Sequence, residues 1–431
     1  MFSFGTLAAG LGVGTVAEMT RRRLGMVEEP QGQTLDSIFL TPANAERIVN
    51  TLCKVRGAAL KIGQLLSIQD NNVISPVLQQ AFERVRQSAD FMPRSQVEYV
   101  LTSELGNDWR SHFDEFSLVP FAAASIGQVH HGKLVDGTEV AMKIQYPGVA
   151  EGINSDINNL VSVLKMCNVF PTGMFIDKLI EVAKRELSWE VDYVREAECT
   201  RKFKDLLEPY SADYYVPRVI DELCTKKVFT TELIEGVPVD KCKDMDQETR
   251  THICKLIMQL CLRELFEFRY MQTDPNWSNF FYNCETKKLV LLDFGASRSY
   301  DKKFMDNYIR IIKGTADRSR EQVLELSRTM GFLTGYESKA MEDAHVETLM
   351  ILGEVFTEKV GEFDFGAQDT VLRITRLVPT IITERLCPPP EEIYSLHRKL
   401  SGVFLLCAKL GVKICCRDMF LEVYSNYKFD T

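Results

Sequence analysis

The chain has 431 residues, 45% of them hydrophobic and 26% charged, which is enough for one large or two ordinary domains with a full core. Its net charge of −9 argues against a general nucleic-acid-binding protein, because such a protein would carry a basic excess. The 12 cysteines include no C-x-x-C spacing, so the sequence favours reduced thiols, in cytosol or mitochondrial matrix, over a zinc site or a disulfide framework.

Residues 1–20 are a candidate membrane anchor. The start of this segment carries no charge and three arginines follow it, although the apolar run is slightly short of the ~20 residues of a spanning helix. Gly10 and Gly14 have the spacing that lets two membrane helices approach closely, which would favour a homodimer. A buried or surface-lying apolar helix and the remnant of a processed targeting segment are the alternatives.

Residues 41–110 are predicted to form an all-helical extension. An N-cap threonine and a following proline start it, and apolar residues then recur at helical spacing. Lys61 and Gln64 are three positions apart and share a face of this helix. Periodicity alone favours solvated side chains at both positions. Two further helices are predicted, around residues 76–88 and 93–105.

Residues 111–234 are predicted to form a small lobe that begins with three strands, residues 115–120, 128–134 and 138–145. Asp136 and Gly137 give a hairpin turn between the last two strands. The segment between the first two strands aligns with the kinase loop G-x-G-x-x-G-x-V, with alanine at the first two glycine positions and Gly127 at the third. The residues of this segment that we expect to cover a nucleotide are Ala122, Ala123, Ala124 and Ser125.

Lys143 lies in the sequence V-A-M-K on the third strand, which matches the kinase V-A-I-K closely and predicts a ligand of the α- and β-phosphates. Such a lysine needs a carboxylate from a helix, and residues 176–207 are predicted to form one long amphipathic helix. Glu190 and Glu196 are both candidates. Asp192 shares a face with Glu196 at a spacing of four residues, so we favour Glu196, but the spacing leaves the choice open.

Two more strands, residues 215–223 and 227–233, are predicted to lead to the hinge between the lobes. Backbone groups at this hinge would be available to bind the edge of an adenine base. The candidate residues are Thr231, Glu232, Leu233 and Ile234.

Residues 235–431 are predicted to form a large helical lobe, in which a long helix over 246–270 precedes the main chemical motif. Asp274 and Asn279 form D-x-x-x-x-N, and two short apolar runs separate them from D-F-G at Asp293. In kinases the first aspartate faces the substrate hydroxyl, while the asparagine and the second aspartate bind Mg²⁺. No A-P-E sequence follows and helix is expected to resume near residue 302, so an extended peptide-binding activation loop is not expected.

Taken together, these motifs closely resemble the UbiB family of atypical kinase-like proteins, specifically its mitochondrial coenzyme Q biosynthesis members, over about residues 40–425. Four signatures carry the resemblance: K-x-G-Q at 61–64, A-A-A-S at 122–125, E-x-D at 190–192, and D-P-N-W-S-N-F at 274–280 with D-F-G. The resemblance implies an α+β, bilobal protein-kinase-like fold with an N-terminal helical extension packed across the active site. It gives Lys61 and Gln64 a regulatory role near Glu190 and Asp192, in place of the solvated interpretation.

The resemblance also implies an activity and a location. It implies binding of ATP or ADP with Mg²⁺ and hydrolysis of ATP. It implies support of a coenzyme Q (ubiquinone) biosynthetic protein complex, and contact with lipid quinone intermediates or a membrane surface. The implied location is the mitochondrial inner membrane, on the side that faces the matrix.

Three functions fit these residues. The first is an ATPase in which Lys143, Asn279 and Asp293 hold ATP and Mg²⁺ while Asp274 positions or deprotonates the attacking group. The second is a true kinase that phosphorylates a protein or a small molecule, and the third is a nucleotide-binding pseudokinase scaffold. The sequence favours the first, because a complete nucleotide-binding set occurs together with an occluding extension and without a peptide platform.

Overall fold

The computed structural model of the protein describes residues 91–166, 176–274, 276–357 and 361–430. The candidate anchor at 1–20, Lys61, Gln64 and most of the predicted extension lie outside these ranges. Among the residues described, no helix is both long enough and apolar enough to cross a membrane. The chain divides into two compact units, the first containing residues 91–137 and 142–191 and the second containing residues 138–141 and 192–430.

The first unit combines a small antiparallel sheet with helices. Strands β1 and β2 both pair antiparallel with β3, with Phe116 opposite Gly132 and Ala122 opposite Val129. The strands of this part are β1 (Phe113–Phe116), β2 (Ala122–Ala123), β3 (Gly127–Leu134) and β4 (Glu139–Gln145), of which β4 has its first residues in the second unit. The helices are α1 (Arg94–Leu105), α2 (Val149–Met166) and α3 (Ile176–Glu190).

These elements confirm the helix predicted over 93–105 and the strands predicted over 128–134 and 138–145. The strand predicted over 115–120 is wrong beyond Phe116. There the Ser117 hydroxyl donates to the carbonyl of Val119 at 2.9 Å, and this local turn takes the chain out of the sheet.

A buried polar chain ties the start of α1 to β3. The backbone N–H of Met92 donates to Gln128 Oε1 at 2.7 Å, and Gln128 Nε2 lies 2.9 Å from His130 Nε2. His130 Nδ1 lies 2.8 Å from the carbonyl of Ser117, so a proton on Nδ1 satisfies all of these contacts. Burial lowers the pKa of His130 below its usual value, which keeps the ring neutral in this chain of hydrogen bonds.

The prediction of one helix over 176–207 is wrong, because the chain breaks at Val191 and Asp192. Helix α3 ends at Glu190 and helix α4 (Tyr193–Leu207) starts two residues later. Asp192 is the N-cap of α4, and its carboxylate accepts the backbone N–H of Arg195 at 3.0 Å. The boundary between the two units falls at the same place. Asp192 is therefore a capping residue and not a member of a shared helical face with Glu196.

The second unit contains short strand pairs and a helical body. Strand β9 pairs antiparallel with β10, β10 pairs parallel with β5, and β8 pairs antiparallel with β11. The strands are β5 (Tyr214–Tyr215), β6 (Val228–Glu232), β7 (Val237–Pro238), β8 (Tyr270–Gln272), β9 (Phe280–Asn283), β10 (Lys288–Leu291), β11 (Ser297–Ser299), β12 (Phe363–Asp364) and β13 (Lys413–Ile414). Besides α4, the helices are α5 (Gln247–Phe266), α6 (Lys302–Ala316), α7 (Arg320–Thr329), α8 (Lys339–Leu352), α9 (Thr370–Glu384), α10 (Glu391–Leu410) and α11 (Cys416–Asn426).

Several predictions for this unit are confirmed and two are corrected. The hairpin after Asn279 is present as β9 and β10, and helix α6 begins at Lys302 as expected. The strand predicted over 215–223 is wrong, since only Tyr214–Tyr215 is a strand and a 3-10 turn over Asp221–Leu223 interrupts the chain. The helix predicted over 246–270 ends at Phe266, and Tyr270 already belongs to β8.

Helix α5 is the centre of the hydrophobic core of the second unit. Its residues from Ile253 to Phe266 are nearly all buried, and α10 packs against it. Among these apolar residues lies Glu264, whose side chain is 1% exposed. A carboxylate in such a place must be paired to be tolerated, and its partner leads to the candidate site.

Candidate functional site

The alanine-rich loop is a tight hairpin in the first unit. Ala122 and Ala123 form β2, and the N–H of Ala124 donates to the carbonyl of Gly127 at 2.9 Å, which closes the turn. At its tip, Ser125 Oγ donates to Glu190 Oε2 at 3.4 Å. The structure therefore brings the A-A-A-S loop into contact with the glutamate of the E-x-D motif.

The end of β4 contacts the same region. The N–H of Tyr146 donates to the carbonyl of Ile126 at 2.9 Å, and Gln145 Nε2 donates to the carbonyl of Val191 at 2.8 Å. Lys143 lies two residues earlier on β4, between the buried side chains of Met142 and Ile144. Because successive side chains of a strand point to opposite faces, Lys143 lies on the face opposite those two apolar residues.

The candidate hinge residues Thr231, Glu232, Leu233 and Ile234 lie in the second unit, at the end of β6. The N–H of Glu232 donates to the carbonyl of Arg218 at 3.0 Å, and the N–H of Leu233 donates to the carbonyl of Glu139 at 2.8 Å. The expectation that backbone groups of this segment are available for adenine is therefore wrong for these two N–H groups. The Glu232 carboxylate also accepts the N–H of Arg218 at 2.6 Å and the hydroxyl of Tyr215.

Asp274 and Asn279 are brought together by a short loop between β8 and β9. Asn279 Nδ2 donates to Asp274 Oδ2 at 2.9 Å, and the N–H of Asn276 donates to Asp274 Oδ1 at 3.2 Å. A 3-10 turn over Trp277–Asn279 orients the asparagine, which is 8% exposed. The five-residue spacing of the motif thus gives one carboxylate held at both oxygens beside a nearly buried amide.

Asp293 lies two residues after the end of β10 and has a left-handed backbone, with a φ of 57°, which aspartate tolerates better than most residues. A Cβ built on Gly295 would lie 3.5 Å from Asp293 Oδ1 and 3.6 Å from Glu196 Oε2, so both carboxylates lie beside this glycine. Helix α4 holds the same loop through Arg195, whose guanidinium donates to the carbonyls of Gly295 and Ser297.

Gln272 links the loop of Asp274 to the loop of Asp293. Its Nε2 donates to the carbonyl of Asp293 at 3.1 Å, and its N–H donates to Glu264 Oε1 at 3.1 Å. Lys399 Nζ, on α10, donates to both the carbonyl and the Oε1 of Gln272, at 2.9 and 3.0 Å. The same Nζ lies 3.0 Å from Glu264 Oε2 and forms an ion pair in which both side chains are almost completely buried.

Thr273 is held in a similar way. Its N–H and its hydroxyl both donate to the carbonyl of Ala296, at 3.2 and 2.5 Å. The buried Arg398 donates to the carbonyl of Thr273 from Nε at 3.2 Å, and to its hydroxyl oxygen from Nη2 at 3.4 Å. The two residues before Asp274 are therefore fixed both by α10 and by the loop that follows D-F-G.

The sequence predictions did not include Arg195, Glu264, Gln272, Arg398 or Lys399. One signal was present: Glu264 falls within the mostly apolar segment of residues 256–266, and Arg398 and Lys399 interrupt an apolar helix pattern. The pairing itself joins residues more than 120 positions apart, so no local pattern could reveal it.

Three side chains of the second unit carry oxygen atoms that suit a hard divalent cation: the Asp293 and Glu196 carboxylates beside Gly295, and the Asn279 amide beside Asp274. Mg²⁺ prefers carboxylate and carbonyl oxygens, and Asn279, Asp293 and Glu196 supply these atom types. Because Asn279 uses its Nδ2 on Asp274, its Oδ1 is the atom that could serve as a ligand. The donor set of this part of the second unit therefore fits magnesium.

Comparisons with known proteins agree with these motifs. The profile of the ABC1 atypical kinase-like domain matches residues 84–327. Danio rerio "Atypical kinase COQ8B, mitochondrial" is 59% identical over 99% of this chain and 68% of the relative, and Saccharomyces cerevisiae "Atypical kinase COQ8, mitochondrial" is 45% identical over 99% and 84%. The solved complex of Rv3197 with erythromycin from Mycobacterium tuberculosis has a TM-score of 0.60 and 23% identity, and covers 88% of this chain and 95% of that one.

The profile covers more than half of the chain and the relatives cover nearly all of it, while the solved structure shows the fold alone. The predicted α+β kinase-like fold and the predicted family are both confirmed. The chain belongs to the ABC1 (UbiB) family of atypical kinase-like proteins.

Proposed function

We propose that this protein is an atypical kinase-like ATPase that binds ATP or ADP with Mg²⁺ and supports coenzyme Q biosynthesis at the mitochondrial inner membrane. The observation that carries the proposal is the hydrogen bond of 2.9 Å between Asn279 and Asp274, on a loop that Gln272 connects to Asp293. A simple turn would not need this link between two separated acidic loops. A phosphoryl-transfer site needs such a link, since its catalysis depends mainly on positioning the reacting groups.

In this proposal Asp274 positions the attacking water and accepts its proton. Both of its oxygens accept hydrogen bonds from its own loop, so the carboxylate is held in one orientation. Lys143 binds the α- and β-phosphates. The loop from Ala122 to Ser125 covers the nucleotide less closely than a glycine loop would, because each Cβ occupies space near the backbone.

Asn279 and Asp293 are the proposed magnesium ligands, with Glu196 beside them. When bound, Mg²⁺ would neutralise charge on the phosphates during transfer. Glu190 and Asp192 are proposed to act with Lys61 and Gln64 as a regulatory set. The contact between Glu190 and Ser125 supports this role, because it couples the E-x-D motif to the nucleotide loop.

Water is the proposed acceptor because the chain after D-F-G offers little room for a peptide. Strand β11 pairs with β8 from Ser297 to Ser299, and α6 begins at Lys302. A protein kinase uses an extended loop at this point to hold its substrate.

The pathway and location are proposed from the relatives and from the family resemblance. The two relatives described above are named as mitochondrial atypical kinases. We propose that this chain acts with a coenzyme Q biosynthetic protein complex and with lipid quinone intermediates on the matrix face of the inner membrane. Residues 1–20 would be the anchor, and a homodimer would form through Gly10 and Gly14.

The test compares ATP hydrolysis with phosphate transfer in the purified full-length protein, with and without vesicles that contain a quinone-precursor-like lipid. Asp274→Asn should lower kcat by about 10²-fold or more, because the proton acceptor is lost while its shape is kept. Asp343→Asn is the matched control, since Asp343 is an exposed residue of α8 paired with Lys339, and its kcat should equal that of the wild type.

Two outcomes would count against the ATPase. Equal hydrolysis by wild type and Asp274→Asn would exclude a catalytic role for this site and favour a scaffold. Stoichiometric phosphate on a partner protein or lipid, lost in Asp274→Asn, would establish the true kinase.

In yeast lacking the relative named above, a mitochondrially targeted wild-type chain should restore coenzyme Q content, and well-folded Asp274→Asn should not.

A further inference from the structure

We propose that Lys399 on α10 is a positioning residue for the reaction, acting through Gln272 on the loops that carry Asp274 and Asp293. The inference rests on the proposed ATPase function and deepens it. Lys399 lies outside the part of the chain matched by the ABC1 profile, which ends at residue 327. The proposal therefore assigns part of the site to a helix that the kinase-like motifs do not include.

The first argument is the set of oxygen atoms around the ammonium group, which donates two hydrogen bonds to Gln272 and forms an ion pair with Glu264. An ammonium has three N–H donors, and Lys399 Nζ has three oxygen neighbours: the carbonyl and the Oε1 of Gln272, and Oε2 of Glu264, at 2.9, 3.0 and 3.0 Å. Gln272 in turn gives its own N–H to Glu264 and its Nε2 to the carbonyl of Asp293. The pair thus fixes the backbone and the side chain of one residue.

The second argument concerns what a buried ion pair contributes. Desolvation opposes the attraction between two buried charges, so well-packed apolar residues often replace such a pair without loss of stability. Stability alone is therefore a weak reason for burying this lysine and this glutamate, whose side chains are only 2% and 1% exposed. Both partners direct their remaining hydrogen bonds to Gln272, two residues before Asp274. The geometry assigns the pair to the placement of this loop.

The third argument is that neighbouring residues of α10 make similar contacts. In chain order these contacts are Glu391 with Arg298, Ser395 with Tyr300, Arg398 with Thr273, and the carbonyl of Gly402 with Trp277 Nε1. Their spacing places them along one side of the helix. One side of α10 thus contacts the chain on both sides of Asp274 and the segment after D-F-G.

The effect on rate should be large, because a displacement of about 1 Å at a reacting group can lower a rate by about 10²-fold. We therefore expect Lys399→Met in the full-length protein to lower kcat for ATP hydrolysis by about 30-fold or more, with KM for ATP within about threefold of the wild type. Lys413→Met is the control, since Lys413 is an exposed lysine just after α10, paired with Asp364, and should leave kcat unchanged.

A second variant separates positioning from simple loss of stability. Lys399→Met leaves Glu264 buried without its partner, so a lower Tm is expected. Adding Glu264→Gln removes that charge while the amide oxygen can still accept the N–H of Gln272. The double variant should recover most of the lost Tm while kcat stays low. Recovery of kcat together with Tm would overturn the proposal.

Hydrogen exchange separates this inference from the proposed function. In the nucleotide-free protein, peptides covering residues 270–281 and 292–299 should exchange at least about tenfold faster in Lys399→Met than in Lys413→Met. If the wild type hydrolyses no more ATP than Asp274→Asn, the ATPase fails, and the exchange result alone decides the positioning of the loops. Unchanged exchange, or wild-type kcat in folded Lys399→Met, would refute the role of Lys399.

Discussion

At the scale of single residues, Asp192 shows how one side chain sets the course of the chain. Its carboxylate accepts the N–H of Arg195, and its own backbone is not helical, so α3 and α4 are separate helices. Because of this break, Glu190 and Glu196 make different contacts. Glu190 contacts Ser125, whereas Glu196 lies beside Gly295.

Asp192→Ala should lower the free energy of unfolding by about 1 kcal/mol, because the N-cap acceptor of α4 is lost. Asp192→Asn keeps an acceptor at the same position and should stay within a few tenths of the wild-type value. Urea unfolding at pH 7 measures both. A similar loss for alanine and asparagine would contradict a capping role and point to a need for the negative charge.

At the scale of elements, helices α5, α10 and α11 enclose a set of buried thiols. Cys254 of α5 and Cys407 of α10 interact directly, and this contact, with burial, raises the pKa of Cys407 well above its usual value. Burial also raises the pKa of Cys416, at the start of α11, to about 12 and that of Cys261 to about 12. Cys284, in contrast, is exposed at the β9–β10 turn.

Alkylation of the native protein at pH 8 should therefore be selective. A thiol with a pKa near 12 is about 10⁻⁴ ionised at this pH, and burial blocks the reagent as well. Iodoacetamide should modify Cys284 at least about 100-fold faster than Cys261, Cys407 or Cys416, as measured by mass spectrometry. In urea the difference should disappear. Rapid native labelling of Cys407 would show that these helices open more readily than their packing indicates.

At the scale of the whole molecule, stability should depend on two neutral histidines. His345 of α8 is 7% exposed, and the Nε2 atoms of His345 and His397 have no hydrogen-bond partner. Burial, and then the charge of Arg385, lowers the pKa of His345 to about 3 and that of His397 to about 4. The opposing charge near His345 is Glu337, whose effect is smaller.

The sign of the pH dependence follows from these lowered values. The unfolded chain binds protons below a pKa of about 6.5 while the folded imidazoles stay neutral, so stability is complete above pH 6.5 and falls as the pH falls toward 4 and 3. At pH 5 the loss from His345 should be about 2 kcal/mol relative to pH 7. Urea unfolding at the two pH values should show a smaller loss for His345→Leu than for the wild type. An equal loss in both proteins would exclude His345 as the cause.

Much of the fold and part of the site could be predicted from local patterns. The alternating strands around Asp136 and Gly137, the hairpin after Asn279 and the helix at Lys302 all depend on neighbours within a few residues. Prediction from local patterns failed where a side chain forms a local hydrogen bond that competes with regular structure. Ser117 forms such a bond in a turn, and Asp192 forms one as a helix cap.

The sequence by itself determined the family and the order of the chemical motifs, because these depend on residue types at short, fixed spacings. Only the tertiary structure decided that Lys399 holds Gln272, that Arg398 holds Thr273, and that Gln272 in turn holds the loop of Asp293. The reason is physical: a buried charge must find its partner wherever the fold brings one, and here the partner comes from a helix more than 120 residues farther along the chain.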